Sequence, residues 1–200
     1  MNILLTGGAG YIGSHVAISL LDAGYKVTII DDLSTGHQEL IPKEANFIEA
    51  NINNKKILKS TLIKNKFDVL MHFAGYIEVE ESVKNPKKYF INNTDNAKVL
   101  FDICTKHNLQ NIIFSSTAAA YGNPEQKDLI KENSILKPLN PYGKSKVETE
   151  KYLQNNSNFN YIILRYFNVA GADPLMRCGL ISKNPTHLIK ITSEAATRKG

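Results

Sequence analysis

Short apolar runs alternate with longer amphipathic segments along almost the whole of this 200-residue chain. The runs at 69–71, 112–114 and 162–164 contain no polar residue. Strands buried on both faces have this character, and the segments between them are long enough to be the helical crossovers that parallel strands need. The pattern predicts an α/β fold with a doubly wound parallel sheet, covered on both faces, of the Rossmann type.

The order of the predicted strands and helices indicates where functional residues should lie. Strands are predicted over 2–6, 26–31, 45–49, 67–73, 111–115 and 161–165, and helices over 11–23, 55–65, 86–107, 142–154 and 186–198. The composition, with 42% hydrophobic and 22% charged residues, is that of an ordinary globular domain. Ligands of doubly wound sheets bind beyond the carboxyl ends of the strands, so functional residues are expected there.

A glycine-rich turn joins the first strand to the first helix. Gly7 permits a sharp turn, Gly10 lets the backbone approach a pyrophosphate, and Gly13 lets helix and strand pack closely. The phosphates would then meet the free N–H groups and the positive end of the helix. Asp31 closes the second strand, where a carboxylate can accept both hydroxyls of an adenosine ribose. The pattern predicts a dinucleotide site, and the carboxylate favours NAD over NADP because it would repel a 2′-phosphate.

Tyr142 and Lys146 are four residues apart at the start of a predicted helix. They therefore share one helical face, and the Lys146 ammonium can favour the phenolate of Tyr142 by lowering its pKa from about 10. Alone, this pair would be typical of an exposed helix. Thr117, however, follows two serines at the end of a buried strand, on the side where the dinucleotide would lie. Phenol, ammonium and hydroxyl together predict a hydride-transfer site.

Charge and cysteine content exclude other classes of protein. The formal net charge of +5 comes from 24 Lys and Arg against 19 Asp and Glu. Most of it is lysine scattered along predicted helices, so no nucleic-acid partner is expected. No targeting segment is recognisable and no apolar run approaches the roughly 20 residues that span a bilayer, so a cytoplasmic protein without a membrane partner is expected. Cys104 and Cys178 are expected to be free thiols, and no metal site is predicted.

Five motifs together resemble the extended short-chain dehydrogenase/reductase superfamily, and within it the NAD-dependent epimerase/dehydratase family. They are TGGAGYIGSH at 6–15, HFAG at 72–75, YG at 121–122, PYGKSK at 141–146 and RYFNVAGA at 165–172. The resemblance implies a tightly held NAD⁺ and epimerisation at C4 of a UDP-hexose, UDP-galactose to UDP-glucose, through a transient 4-keto sugar. It also implies a homodimer built on the helices predicted over 86–107 and 142–154.

The resemblance assigns roles to individual residues. Tyr142 would be the base and later the acid, Lys146 would support it and bind the nicotinamide ribose, and Thr117 would bond the sugar hydroxyl. Thr117, Tyr142 and Asn168 would contact the substrate. The implied cofactor-binding residues are Gly7, Gly10, Tyr11, Ile12, Gly13, Asp31, Asp32, Leu33, Ser34, Thr35, Gly36, Asn51, Ile52, Phe73, Ala74, Gly75, Asn92, Thr117, Tyr142, Lys146 and Phe167. Residues 1–170 would form the NAD-binding domain, and 171–200 the incomplete beginning of a substrate-binding portion.

Three positions depart from the pattern of the family. Asn51 stands where an aspartate usually reads the adenine amine; an amide oxygen can still accept that hydrogen bond, without charge assistance. Ile77 replaces a frequent cofactor-contacting lysine, and Thr117 replaces the usual serine but keeps the hydroxyl.

Several functions stay open at this point. Residues 118–120 are alanines, whereas nucleotide-sugar dehydratases carry an acidic pair there, so dehydration is disfavoured. The alternatives are an epimerase for UDP-glucuronate or UDP-N-acetylglucosamine, and an NAD-binding fragment with little or no activity that lacks the UDP-sugar site. A simple NAD-dependent dehydrogenase that releases NADH is a third.

Overall fold

The strands form a single parallel sheet in the computed structural model of the protein, which describes residues 1–123, 129–182 and 187–197. They are β1 (Asn2–Thr6), β2 (Lys26–Asp31), β3 (Asn46–Glu49), β4 (Val69–His72), β5 (Asn111–Ser115) and β6 (Asn160–Leu164). Their order is β3-β2-β1-β4-β5-β6, and every pairing is parallel. The predicted doubly wound fold is confirmed. The strand order reverses between β1 and β4, which places a ligand site at their carboxyl ends.

The helices connect the strands and largely follow the prediction. They are α1 (Tyr11–Asp22), α2 (Lys55–Lys64), α3 (Val79–Lys84), α4 (Pro86–Tyr89), α5 (Ala97–Lys106), α6 (Pro141–Gln154) and α7 (Leu188–Ala196). A π-helical segment, Phe90–Asn96, joins α4 to α5, so the helix predicted over 86–107 contains a wide turn at its centre. The helix predicted over 186–198 is α7, and both of its predicted terminal residues lie outside the described residues. No signal in the sequence had predicted α3.

Hydrophobic residues pack on both faces at the centre of the sheet. Leu4 of β1 belongs to a cluster shared with α2, α5 and α6, while its neighbour Leu5 packs with Ala17 of α1. Consecutive strand residues point to opposite faces, so β1 supplies both layers. The prediction of full coverage is wrong at the edge, where Ile162 of β6 is 56% exposed. The edge strand has a neighbour on one side only, and α7, which follows it, has no buried residue.

The two cysteines, Cys104 and Cys178, are buried free thiols. Burial raises the pKa of Cys104 to about 12, so its thiolate is not formed at neutral pH. Among the helices of the described ranges, none is long and apolar enough to cross a membrane.

Candidate dinucleotide and catalytic site

The turn between β1 and α1 is so tight that glycine is required at two positions. Gly7 has a φ of +77°, and a Cβ on it would lie 2.4 Å from the backbone nitrogen of Ala74. A Cβ on Gly13 would lie 2.1 Å from the carbonyl oxygen of Gly7. Gly10 caps α1 without any side-chain hydrogen bond, and the first turn of α1 contains no acidic residue. The uncapped N–H groups of this helix therefore fit an anionic pyrophosphate. The next residues, Tyr11 and Ile12, begin α1 and are half-buried.

Asp31 fastens the glycine-rich turn to the end of β2. Its carboxylate accepts hydrogen bonds from the backbone nitrogens of Ala9, at 3.0 Å, and Leu33, at 2.9 Å. Burial raises the pKa of Asp31, and these two hydrogen bonds partly oppose the shift. The segment 32–36 then folds back onto the turn, because the backbone nitrogen of His37 donates to the Ala9 carbonyl at 2.9 Å. The carboxylate thus lies beside the same backbone that would hold the phosphates.

Asn51, which follows β3, contacts Asp32. Its amide nitrogen donates to the Asp32 carboxylate, and its amide oxygen accepts from the backbone nitrogen of Asn53 at 3.0 Å. Burial raises the pKa of Asp32, but hydrogen bonds from Ser34 and Asn51 outweigh it and leave that pKa below its usual value. Ile52 is buried beside Asn51. Asn51 therefore serves as a donor to a neighbouring carboxylate, which an aspartate at this position could not do.

Replacing Asn51 with aspartate is expected to destabilise the fold at neutral pH. The change removes the donor to Asp32 and sets two carboxylates against each other, which costs about 1 kcal/mol in the free energy of unfolding. The repulsion requires both groups to be ionised, so the loss should be present at pH 7 and shrink below about pH 4. Denaturant titrations at both pH values measure it. Asn53→Asp, two residues away and exposed, adds the same charge and serves as the control; equal losses in the two variants would contradict the role of the Asn51 amide.

Gly75, at the end of the segment after β4, lies against Asn93 and Lys146. A Cβ on Gly75 would lie 3.1 Å from Asn93 Oδ1 and 3.2 Å from Lys146 Nζ. Asn93 is buried, accepts from Tyr76 N at 2.9 Å and donates to Tyr76 O, also at 2.9 Å. Sequence reasoning selected the half-buried Asn92 and missed Asn93. Nothing in the sequence separates two adjacent asparagines; the π-helical turn decides which one points inward.

Phe73 and Ala74 connect the sheet to this part of the site. Phe73 N donates to the Thr6 carbonyl at 2.9 Å, which continues the pairing of β4 with β1. Ala74 follows and packs against Gly7. The ends of β1 and β4 are therefore in direct contact, at the point where the strand order reverses.

Lys146 is a buried cation at the start of α6. It is 3% exposed, and its Nζ donates to the Ser115 carbonyl at 2.9 Å and lies 5.1 Å from the centroid of the Phe114 ring. Burial lowers the pKa of Lys146 to about 8, with the charge of Glu150 acting in the opposite direction. The ammonium is the majority form at neutral pH.

Tyr142 and Thr117 meet at their hydroxyl groups. Burial raises the pKa of Tyr142, and a hydrogen bond with the Thr117 side chain partly opposes the rise. The prediction that Lys146 lowers the Tyr142 pKa on balance is therefore wrong for this structure, because desolvation of the phenol outweighs every other contribution. The Thr117 hydroxyl also accepts from the backbone nitrogen of Ala119 at 3.1 Å, which fixes its orientation. The sequence had correctly predicted that Tyr142 and Thr117 meet, but not which contribution would dominate the pKa of Tyr142.

Phe167 and Asn168 follow β6 on an exposed segment. Phe167 is 75% exposed, and Asn168 is exposed as well. The structure thus does not bury these two residues in the site around Tyr142. The segment beyond them does return to the glycine-rich turn, since the Tyr11 hydroxyl donates to the Gly171 carbonyl at 2.6 Å.

These features define a class of protein. Three features characterise a dinucleotide-binding domain equipped for proton transfer: a strand-turn-helix unit with obligatory glycines, an aspartate at the end of β2, and a Tyr-x-x-x-Lys pair whose tyrosine contacts a threonine hydroxyl. Residues 3–195 match the NAD dependent epimerase/dehydratase family, and the chain belongs to that family. The resemblance inferred from the five sequence motifs is confirmed.

Named relatives agree with this assignment. The chain is 45% identical over 196 residues to the UDP-glucose 4-epimerase of Azospirillum brasilense, covering 96% of this chain and 56% of the relative. It is 42% identical to UDP-arabinose 4-epimerase 1 of Arabidopsis thaliana, covering 89% of this chain and 45% of the relative. The crystal structure of UDP-glucose 4-epimerase from Brucella ovis in complex with NAD superposes with a TM-score of 0.93 at 39% identity, covering 100% of this chain and 62% of that one. The chain spans about half to three-fifths of the length of these relatives.

Proposed function

We propose that this protein catalyses NAD-dependent epimerisation at C4 of a UDP-hexose, interconverting UDP-galactose and UDP-glucose. The observation that carries the proposal is the hydrogen bond between the Tyr142 and Thr117 side chains, with the buried Lys146 ammonium one helical turn further along α6. These groups lie after β5 and at the start of α6, next to the glycine-lined ends of β1 and β4. The relatives named as UDP-glucose 4-epimerases support the choice of reaction and sugar.

NAD⁺ is the cofactor that these residues fit. The glycine-rich turn would hold the pyrophosphate, Asp31 the adenosine ribose, and Asn51 and Ile52 the adenine. The segment 73–75, Asn92, Thr117, Tyr142, Lys146 and Phe167 would surround the nicotinamide half. Residues 1–170 would then form the NAD-binding and catalytic domain, and residues 171–200 the beginning of the portion that binds the UDP-sugar. Asn168, near the end of the first domain, would also contact the sugar.

Tyr142 would move the proton and Thr117 would orient the sugar. Bound NAD⁺ supplies a hydride acceptor and a positive charge. The Tyr142 oxygen would take the proton of the C4 hydroxyl as C4 is oxidised, which would give the 4-keto sugar. When the 4-keto sugar is reduced again on its other face, Tyr142 would give the proton back to the C4 oxygen. Because burial raises the pKa of Tyr142 still further above neutral pH, positive charge close by must favour the phenolate, and Lys146 is positioned to contribute to it.

A homodimer and a cytoplasmic location complete the proposal. Exposed Val83 and Ile91, on α3 and the π-helical segment, are apolar surface that a second copy would cover, and native mass spectrometry measures the assembly. Unpaired Cys104 and Cys178 are typical of a reducing compartment, which cell fractionation tests.

Incubation of the purified protein with UDP-galactose tests the proposed reaction. NAD is expected to remain bound through purification, as mass spectrometry and ultraviolet absorbance measure, and UDP-glucose is expected to form without net NADH. Accumulation of NADH in proportion to oxidised sugar would indicate a dehydrogenase instead. Bound NAD without turnover would indicate a cofactor-binding fragment, and either result would overturn the proposal. UDP-glucuronate and UDP-N-acetylglucosamine, offered in parallel, establish which sugar is preferred.

A further inference from the structure

Glu150 is a carboxylate at the centre of the fold, one helical turn beyond Lys146 and two beyond Tyr142. Its side chain is 0% exposed. The spacing of four residues places all three on the same face of α6. A carboxylate in such surroundings is strongly unfavourable unless hydrogen bonds and opposite charges satisfy it.

Arg165, which follows β6, satisfies this carboxylate with a two-pronged ion pair. Its Nε lies 3.0 Å from Glu150 Oε1 and 3.1 Å from Oε2, and its Nη2 donates to Oε2 at 2.7 Å. Its Nη1 donates to the Tyr121 hydroxyl at 3.0 Å and to the Glu132 carbonyl at 2.8 Å. The ion pair therefore ties α6 to the end of β6 and to the segment that follows β5.

Two adjacent residues at the end of β5 are held by the same face of α6. The Ser116 hydroxyl donates to the Glu150 carboxylate, and the Ser115 carbonyl accepts from Lys146 Nζ. Thr117 is the next residue in the chain. The hydroxyl that would bond the sugar is thus carried on backbone fixed at both preceding positions.

Glu150 is also the counter-charge of Lys146. His72, which faces Lys146 from β4, is neutral at pH 7 because burial lowers its pKa to about 3. Tyr142 is neutral as well, because a phenol is uncharged at pH 7 and burial raises the pKa of this one further. Ser115 and Phe114 of β5 contribute a carbonyl and a ring, neither of them charged. Among the described residues, the anion whose charge acts on Lys146 is Glu150.

We infer that Glu150 is a positioning residue of this site: its carboxylate fixes the end of β5 through Ser116 and Arg165 and keeps Lys146 a charged ammonium. The catalytic meaning of this role rests on the proposed epimerase function. The effect of Glu150 on the charge of Lys146 can be measured without any substrate.

The direct test follows the titration of Lys146 in protein labelled with ¹³C at the lysine Cε positions. In the ¹H–¹³C correlation spectrum of the parent, one lysine signal should titrate near pH 8, and Lys146→Met should remove it. Glu150→Gln keeps the shape of the side chain and removes its charge, so the same signal should titrate about one pH unit lower. An unchanged titration would overturn the inference.

Arg165→Lys is the matched control, because it breaks the two-pronged contact but keeps the positive charge. A purely structural role predicts that both variants lose stability and that neither moves the Lys146 titration. If Glu150→Gln does not fold, the double variant Glu150→Gln/Arg165→Met removes both charges at similar volume. Its Lys146 signal should also titrate lower, but by less than in Glu150→Gln, because Glu150 acts on Lys146 more strongly than Arg165 does and the loss of the Arg165 charge acts in the opposite direction.

Activity provides a second measurement. The high-pH limb of kcat/KM should move to lower pH in Glu150→Gln and stay in place in Arg165→Lys, because kcat/KM falls where Lys146 loses its proton. A shifted Lys146 titration in a protein without epimerase activity would uphold this inference and contradict the proposed function. Epimerase turnover with an unshifted Lys146 titration would contradict this inference and uphold the proposed function.

Discussion

Replacing Tyr142 with phenylalanine should lower the rate of epimerisation by about a thousandfold and leave NAD⁺ affinity within about threefold of the parent. The change removes one oxygen, the only atom of this residue that can carry the proton between the C4 hydroxyl and the enzyme. The ring itself remains in place, and its centroid lies 6.4 Å from that of the Tyr89 ring. The rate is measured from UDP-galactose conversion, and the affinity by titration calorimetry.

The same substitution at Tyr152 is the control for this experiment. Tyr152 also lies on α6, but its hydroxyl bonds to Asp102 of α5, away from Thr117. Tyr152→Phe should keep the parental rate and lose at most about 1 kcal/mol of stability. A Tyr142→Phe protein that epimerises as fast as Tyr152→Phe would show that another group carries the proton.

Thr117 holds the hydroxyl that contacts Tyr142 in a fixed orientation. This hydroxyl accepts a hydrogen bond from Ala119 N, a contact that does not involve Tyr142. Loss of turnover in Tyr142→Phe therefore reports on proton transfer and not on the orientation of the end of β5.

Local patterns in the sequence were sufficient to predict most of the fold. The apolar runs predicted all six strands to within two residues at each end, because burial on both faces leaves no room for polar residues. Gly7 and Gly13 of the first turn were equally informative, since the atoms that exclude a Cβ there are backbone atoms of the same turn or of the segment just after the neighbouring strand β4. In the sequence, these contacts appear as glycines at a fixed spacing.

Features that depend on long-range packing were not predictable in this way. Asn93 and Asn92 are chemically identical, and the π-helical turn that buries one of them is stabilised by Thr149, whose hydroxyl donates to the Asn93 carbonyl at 2.8 Å. In the sequence, Glu150 cannot be distinguished from the other polar residues of a predicted surface helix. Its partner Arg165 is brought to it only when β6 pairs with β5.

The pKa shift of Tyr142 illustrates a third limit on prediction from the sequence. The spacing of Tyr142 and Lys146 correctly placed two groups on one helical face, but a pKa is the difference between opposing effects. Desolvation of the phenol exceeds the stabilisation of the phenolate, and the extent of desolvation depends on the whole fold. Periodicity therefore predicts which groups meet more reliably than it predicts which protonation state they adopt.

Replacing Gly13 with alanine should abolish tight binding of NAD⁺ while the rest of the chain stays folded. The new Cβ would lie 2.1 Å from the Gly7 carbonyl oxygen and 2.9 Å from the Gly8 Cα, so the glycine-rich turn must move away from the start of α1. Overpacking of this kind costs about 3 kcal/mol. If the pyrophosphate binds at these N–H groups, most of that cost falls on the complex, and affinity drops by about a hundredfold.

Gly179→Ala is the matched control for Gly13→Ala. Nothing lies within 4 Å of a Cβ on Gly179, so the same methyl group should change neither NAD⁺ affinity nor thermal stability. Titration calorimetry with NAD⁺ and thermal unfolding, applied to both variants, separate loss of binding from loss of fold. Parental affinity in Gly13→Ala would mean that the dinucleotide does not rest on the amino end of α1, and the placement of the whole cofactor along β1, β2 and β4 would then have to be abandoned.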